Sequence, residues 1–193
     1  MPLNVPNLLT WLRIIAIPLL VALYYLPDPW LALRDKNLTA CILFTAAAIT
    51  DWLDGYLARR LNQQSAFGAF LDPVADKLIV AAALIILVEL NRVPGVIAVI
   101  IIGREITISA LREWMAKLGR AKSVAVNFLG KIKTVAQLVA IPMLLYHDRI
   151  GAFDPARVGT WLIYLAAALT IVSMVYYLKL AGPHAFGGGS SRF

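Results

Sequence analysis

Apolar residues run through this chain in long blocks with little alternation, cut by short polar or proline-bearing interruptions. Six blocks stand out, near Leu8–Leu26, Leu38–Ala58, Phe67–Leu90, Val93–Ile108, Val124–Tyr146 and Val158–Leu180. Each approaches or exceeds the roughly 20 residues that a helix rising about 1.5 Å per residue needs to cross a bilayer. The interruptions are turn-forming: "PDPW" closes the first block, "NRVPG" parts the third from the fourth, and "HDRIGAFDP" precedes the sixth. No internal repeat is visible. The expectation is an all-α integral membrane protein, a bundle of six transmembrane helices forming one domain over 1–182. A tail at 183–193 ends in "FGGGSSRF", which has linker composition.

Composition supports lipid as the solvent. The chain is 61% hydrophobic with a mean hydropathy of +0.77, against about 45–50% apolar in a soluble domain. A net charge of +7 would suggest nucleic acid in a soluble protein. Here it reads instead as cytoplasmic loops rich in Lys and Arg, and no nucleic-acid partner is expected. Six spans put both termini on one side with the second-to-third and fourth-to-fifth connections, and that side collects 13 of the 18 Lys and Arg residues. Both termini, and the active site, are therefore expected to face the cytoplasm. The N-terminus shows no cleavable signal pattern. Cys41, the single cysteine, excludes a disulfide framework or a thiolate metal cluster within one chain. Trp30, Trp161, Tyr146 and Tyr176 read as interfacial belt residues, and His147 and His184 have no companion at ligand spacing.

Four aspartates break the apolar pattern. Asp51 and Asp54 stand in "DWLDGYLARR" at the end of the second block, and Asp72 and Asp76 in "LDPVADK" at the start of the third. On a helix Asp54 lies roughly 60° from Asp51, and Asp76 roughly 40° from Asp72. Gly55, Ala58 and Arg59 share the first pair's face, and Pro73 either starts the third helix or kinks it. A short connection makes the two helices antiparallel neighbours, so the pairs can converge. Carboxylates gathered at a membrane repel one another and need a cation among them. Their hard oxygens suit Mg²⁺, Mn²⁺ or Ca²⁺, and four of them match a two-metal phosphoryl-transfer site. The plainer reading makes some of them helix caps or partners of Arg59 and Lys77. Gly55, Ala58 and Gly68 either leave room for a base or pyrophosphate to approach the backbone or serve close helix packing.

The full pattern runs Asp51, Asp54-Gly55, Ala58-Arg59, Gly68, Asp72, Asp76. It resembles the signature of the CDP-alcohol phosphatidyltransferase family, with every position filled. "PNLLTWLR", "GREITISALREW" and "GKIKTVAQ" look like the bacterial branch that uses glycerol 3-phosphate, so the likeness extends from Asn4 to about Gln137. The resemblance implies a six-helix enzyme of the bacterial inner membrane, usually a homodimer, with a divalent-metal site open to the cytoplasm. It implies transfer from CDP-diacylglycerol to sn-glycerol 3-phosphate, assisted by two Mg²⁺ or Mn²⁺ ions. Carried over by residue, Asp51, Asp54, Asp72 and Asp76 are metal ligands, with Asp76 also the candidate general base. Gly55, Ala58, Arg59 and Gly68 shape the CDP pocket.

An acceptor that is a phosphate dianion needs fixed positive charge beside the acidic site. Arg104 and Arg112 fall within roughly 80° on one helix face, and Arg104 interrupts an apolar run. Their planar forks suit phosphate oxygens. Pairing of Arg112 with Glu105 competes with that role, whereas Arg104 and Glu105 point apart as sequence neighbours. Lys131 and Lys133 join the phosphate-binding candidates, with lipid headgroups as their plainer partners. At the N-terminus Asn7, Thr10 and Arg13 recur at three-residue spacing. Asn7 and Thr10 are CDP-binding candidates or local caps, and Arg13 is lipid- or CDP-proximal or snorkels to the interface.

Two other classes compete. The same chemistry can serve another acceptor, as in cardiolipin-, phosphatidylinositol-phosphate- or phosphatidylserine-type synthases. A cation-coupled transporter would spread its carboxylates through the membrane depth and show paired repeats.

Overall fold

The computed structural model describes residues 5–61, 66–117 and 128–186. Among these residues the chain forms six helices: α1 (Val5–Tyr25), α2 (Leu33–Leu61), α3 (Ala66–Glu89), α4 (Gly95–Lys117), α5 (Phe128–Tyr146) and α6 (Pro155–Phe186). All six expected helices are present, with shifted ends. α2 begins five residues before its apolar block, because "LRDKN" carries helix-compatible polar residues that the block boundary ignores. α4 continues nine residues past Ile108 through "SALREWMAK", whose Arg, Glu, Ala, Met and Lys are good helix formers. α6 continues to Phe186, beyond the boundary at 183. Pro73 lies inside α3 rather than at its start, leaving the carbonyl one turn earlier without its usual N–H partner.

Two helical stretches, Leu8–Tyr25 and Pro155–Lys179, are long and apolar enough by themselves to cross a bilayer. The other helices carry most of the charged residues that build the site. Leu12, Ile15 and Leu19 on α1, Ile85 on α3, Val96 and Val99 on α4, and Val172 on α6 are all exposed, as expected where lipid supplies the outer contacts. The interior is built from Leu20, Ala40, Phe44, Ala83, Leu84, Leu87, Ile101, Ala140, Ile141 and Leu144.

One end of the bundle is closed by side chains that satisfy helix termini. Asn91 adopts φ 57° after α3. Its N–H reaches the Val88 carbonyl and that of Arg92 the Leu87 carbonyl, so asparagine fills the left-handed position that glycine usually takes in this cap. Arg92 then donates Nη1 to the carbonyls of Leu144 (3.0 Å) and Leu145 (2.7 Å) and Nη2 to Asn37 (2.8 Å). These are orphan acceptors at the end of α5. Buried Lys36 does the same for α1, donating to the Leu26 carbonyl at 2.5 Å. Asp154 caps α6 by accepting the Arg157 backbone N–H at 3.1 Å. That bond holds its carboxyl below the usual carboxylate range.

α5 and α6 form the most extensive helix pair, and α1 packs against both α2 and α3. Among the described residues α1 lies against both helices, and its side chains link the α2 and α3 aspartates. At the α5–α6 crossing a Cβ on Gly159 would lie 2.9 Å from the Leu144 side chain and 3.2 Å from the Ala140 carbonyl oxygen. Gly159→Val is therefore expected to lower stability by about 1–3 kcal/mol through overpacking, read as an earlier thermal transition in detergent. An unchanged transition would mean that the helices part without penalty.

Candidate active site

At the end of the bundle opposite Arg92, α1 inserts polar residues between α2 and α3. Thr10 Oγ1 donates to Asp72 Oδ1 at 2.5 Å. Arg13, 1% exposed, bonds Asp51 Oδ1 at 2.9 Å and also bonds Asp76 Oδ1 through the same Nη1. Among the described residues, a guanidinium from α1 is the cation that pairs with Asp51 and Asp76. Arg13 does not snorkel to the interface. Two carboxylates offer it far more than headgroup water would, and both remain more than two-fifths exposed to anything entering the site.

A cavity of about 280 Å³ opens onto this cluster. Arg13, Asp51, Asp76 and Lys77 line one side, and Glu105, Thr134 and Gln137 bring in α4 and α5. Glu105 Oε1 accepts Lys133 Nζ and, at 3.4 Å, Arg104 Nη1. The i,i+1 neighbours that should point apart are joined because the long Arg104 side chain reaches around the helix. Arg112 does not take Glu105 in its place. Its guanidinium lies 5.7 Å from the ring centroid of Tyr177, while that of Arg104 lies 5.8 Å from the same ring. Arg104 Nη2 also reaches Ser173 Oγ at 3.3 Å. Glu113 pairs with Lys117 at 3.0 Å on the exposed side of α4.

Asp51, Asp72, Asp76, Thr10 and Arg13 therefore come together, with Arg104 and Lys133 linked to the same cavity through Glu105. Asp54, Gly55, Ala58 and Arg59 fall in α2 and Gly68 in α3. Their side chains, with those of Asn7 and Lys131, lie outside the described residues. Glu105, Ser173 and Tyr177 had no place among the expected site residues. Ser173 and Tyr177 stand one turn apart on α6, a spacing that gives one polar stripe but no hint of its partner helix.

The model of the CDP-alcohol phosphatidyltransferase family matches residues 3–172. The chain belongs to this family. Similar proteins include the CDP-diacylglycerol–glycerol-3-phosphate 3-phosphatidyltransferases of Shigella flexneri serotype 5b (strain 8401) and Salmonella choleraesuis (strain SC-B67). Each is 49% identical over 183 residues, covering 94% of this chain and 96% of the relative. The enzyme of that name from Escherichia coli (strain K12) is 48% identical over the same shares. The phosphatidyltransferase family works with divalent cations, and the donor set suits one. The cleft offers hard carboxylate oxygens and already draws in a buried guanidinium as counter-ion. Among the described residues no group of three or more His, Cys, Asp and Glu converges tightly enough to hold a metal by itself.

Proposed function

We infer that this chain transfers the phosphatidyl group of CDP-diacylglycerol to sn-glycerol 3-phosphate, releasing phosphatidylglycerophosphate and CMP. The relatives' shared activity supports the reading. The observation that carries it is a cavity lined by Asp51, Asp76 and Glu105, with Glu105 in turn holding Lys133 and Arg104, which sets basic residues beside the acidic cleft.

In this reading Asp51, Asp54, Asp72 and Asp76 hold two Mg²⁺ or Mn²⁺ ions, and Asn7, Thr10, Gly55, Ala58, Arg59 and Gly68 form the CDP pocket. Divalent ions held there would supply positive charge to the pyrophosphate and favour the departure of CMP. The acceptor's phosphate sits on Arg104, Arg112, Lys131 and Lys133, which turns its reacting hydroxyl toward Asp76. Asp76 takes the hydroxyl proton as the oxygen bonds to the lipid-linked phosphorus and the bond to CMP breaks. Arg13 holds Asp51 and Asp76 in place through Nη1. The enzyme is a bacterial membrane protein. Its six helices span the inner membrane as one domain over 1–182, with both termini and the site on the cytoplasmic side, and it works as a homodimer without nucleic acid.

The test is CMP release by the purified chain in detergent with CDP-diacylglycerol and Mg²⁺ or Mn²⁺. Glycerol 3-phosphate, glycerol, inositol phosphate, serine and phosphatidylglycerol are offered in parallel. Release is expected with glycerol 3-phosphate alone and is lost on chelation. Release with glycerol or serine would remove the phosphate-seat argument, and release that survives chelation would remove the metal.

A further inference from the structure

We propose that Tyr177 is a positioning residue for the acceptor, holding the Arg104 and Arg112 guanidinium groups while leaving their N–H donors to the incoming phosphate. The proposal rests on the reading of Arg104 and Arg112 as acceptor-phosphate ligands. Tyr177 is fully buried on α6, and both guanidinium carbons lie over its ring, at 5.8 and 5.7 Å from the centroid.

Two like charges on α4 repel, and something must hold them together before an anion arrives. A carboxylate would do so by occupying the planar N–H fork, the surface that reads phosphate. An aromatic face attracts the cation through its quadrupole and takes only the flat side of the guanidinium. In-plane donors that no protein group takes then remain available. The Nε atoms of both arginines are in that condition, buried and without a hydrogen-bond partner. A buried donor left unmade is costly, and an entering phosphate oxygen would satisfy it. Arg104 has two further contacts, both long, Nη1 to Glu105 at 3.4 Å and Nη2 to Ser173, one turn before Tyr177, at 3.3 Å, and its Nε stays unpaired, so the pair is oriented without being exhausted.

A series at position 177 of near-constant shape and declining ring quadrupole tests this: Tyr177→Phe, then replacement by difluoro- and pentafluorophenylalanine in the full-length enzyme. The Phe variant keeps the ring and is expected to hold KM for glycerol 3-phosphate within about twofold of the parent. KM then rises with fluorination, to about tenfold for the pentafluoro ring, the loss of a partly desolvated cation–π contact. kcat and KM for CDP-diacylglycerol stay level. Arg104→Gln is the control for the underlying reading and is expected to raise KM for glycerol 3-phosphate by more than any ring variant. A KM indifferent to fluorination, with Arg104→Gln raising it, overturns the role of Tyr177 and leaves the acceptor site standing. A kcat that falls along the series at constant KM also overturns it. An Arg104→Gln enzyme with unchanged KM overturns the acceptor reading, and this proposal with it.

Discussion

Asp76→Asn is expected to abolish measurable CMP release while leaving the protein folded. Asparagine keeps the shape of the side chain but cannot accept the hydroxyl proton, and general-base assistance alone contributes about 10²–10⁴-fold. If Asp76 also holds a metal, as proposed, loss of that ligand adds to this. The fold is spared because Arg13 retains Asp51 at 2.9 Å, and because removing one of two carboxylates from one guanidinium also removes their mutual repulsion. The measurement is CMP release beside a thermal transition on the same preparation. An Asp76→Asn enzyme with more than about a tenth of parental activity would place the base elsewhere, since general-base loss is worth at least about 10²-fold.

Arg13→Leu has the opposite signature, a large effect on stability that depends on metal. Breaking a buried ion pair costs about 3–5 kcal/mol. The low end applies here, because Asp51 and Asp76 remain 44% and 42% exposed and water screens what is left of their charge. Mg²⁺ or Mn²⁺ is expected to recover much of the loss, so that metal raises the thermal transition of Arg13→Leu by more than it raises that of the parent. Equal metal responses in the two proteins would show that guanidinium and metal do not share the cleft's negative charge.

Helix number was legible because lipid-facing helices are apolar along whole blocks, and block length is read directly from the chain. The ends were less legible, since α2 and α4 run on through charged segments that only helix propensity marks. The aspartates were legible as an intrusion of charge into apolar sequence. Their counter-ion was not, because Arg13 is 38 residues from Asp51 and 63 from Asp76, and nothing in the sequence says that α1 packs beside both. The three-residue recurrence of Thr10 and Arg13 was the available signal, and both side chains reach aspartates on other helices. Glu105 was misread by a rule for short side chains on a helix, which an arginine long enough to wrap the turn evades. Tyr177 had no local signal, because its meaning depends on which helix packs against α6.

The polar contacts divide along the chain. Thr10, Arg13, Asp51, Asp72 and Asp76 belong to the first three helices, and Arg104, Glu105, Lys133, Ser173 and Tyr177 to the last three. On the proposed reading, nucleotide-lipid chemistry and alcohol recognition thus occupy separate halves of one gene product. Substitutions in α4 to α6 can redirect the enzyme to a different headgroup while the catalytic aspartates stay untouched. That is a ready route by which duplicated copies diversify into a set of lipid synthases, and the same route is open to engineering.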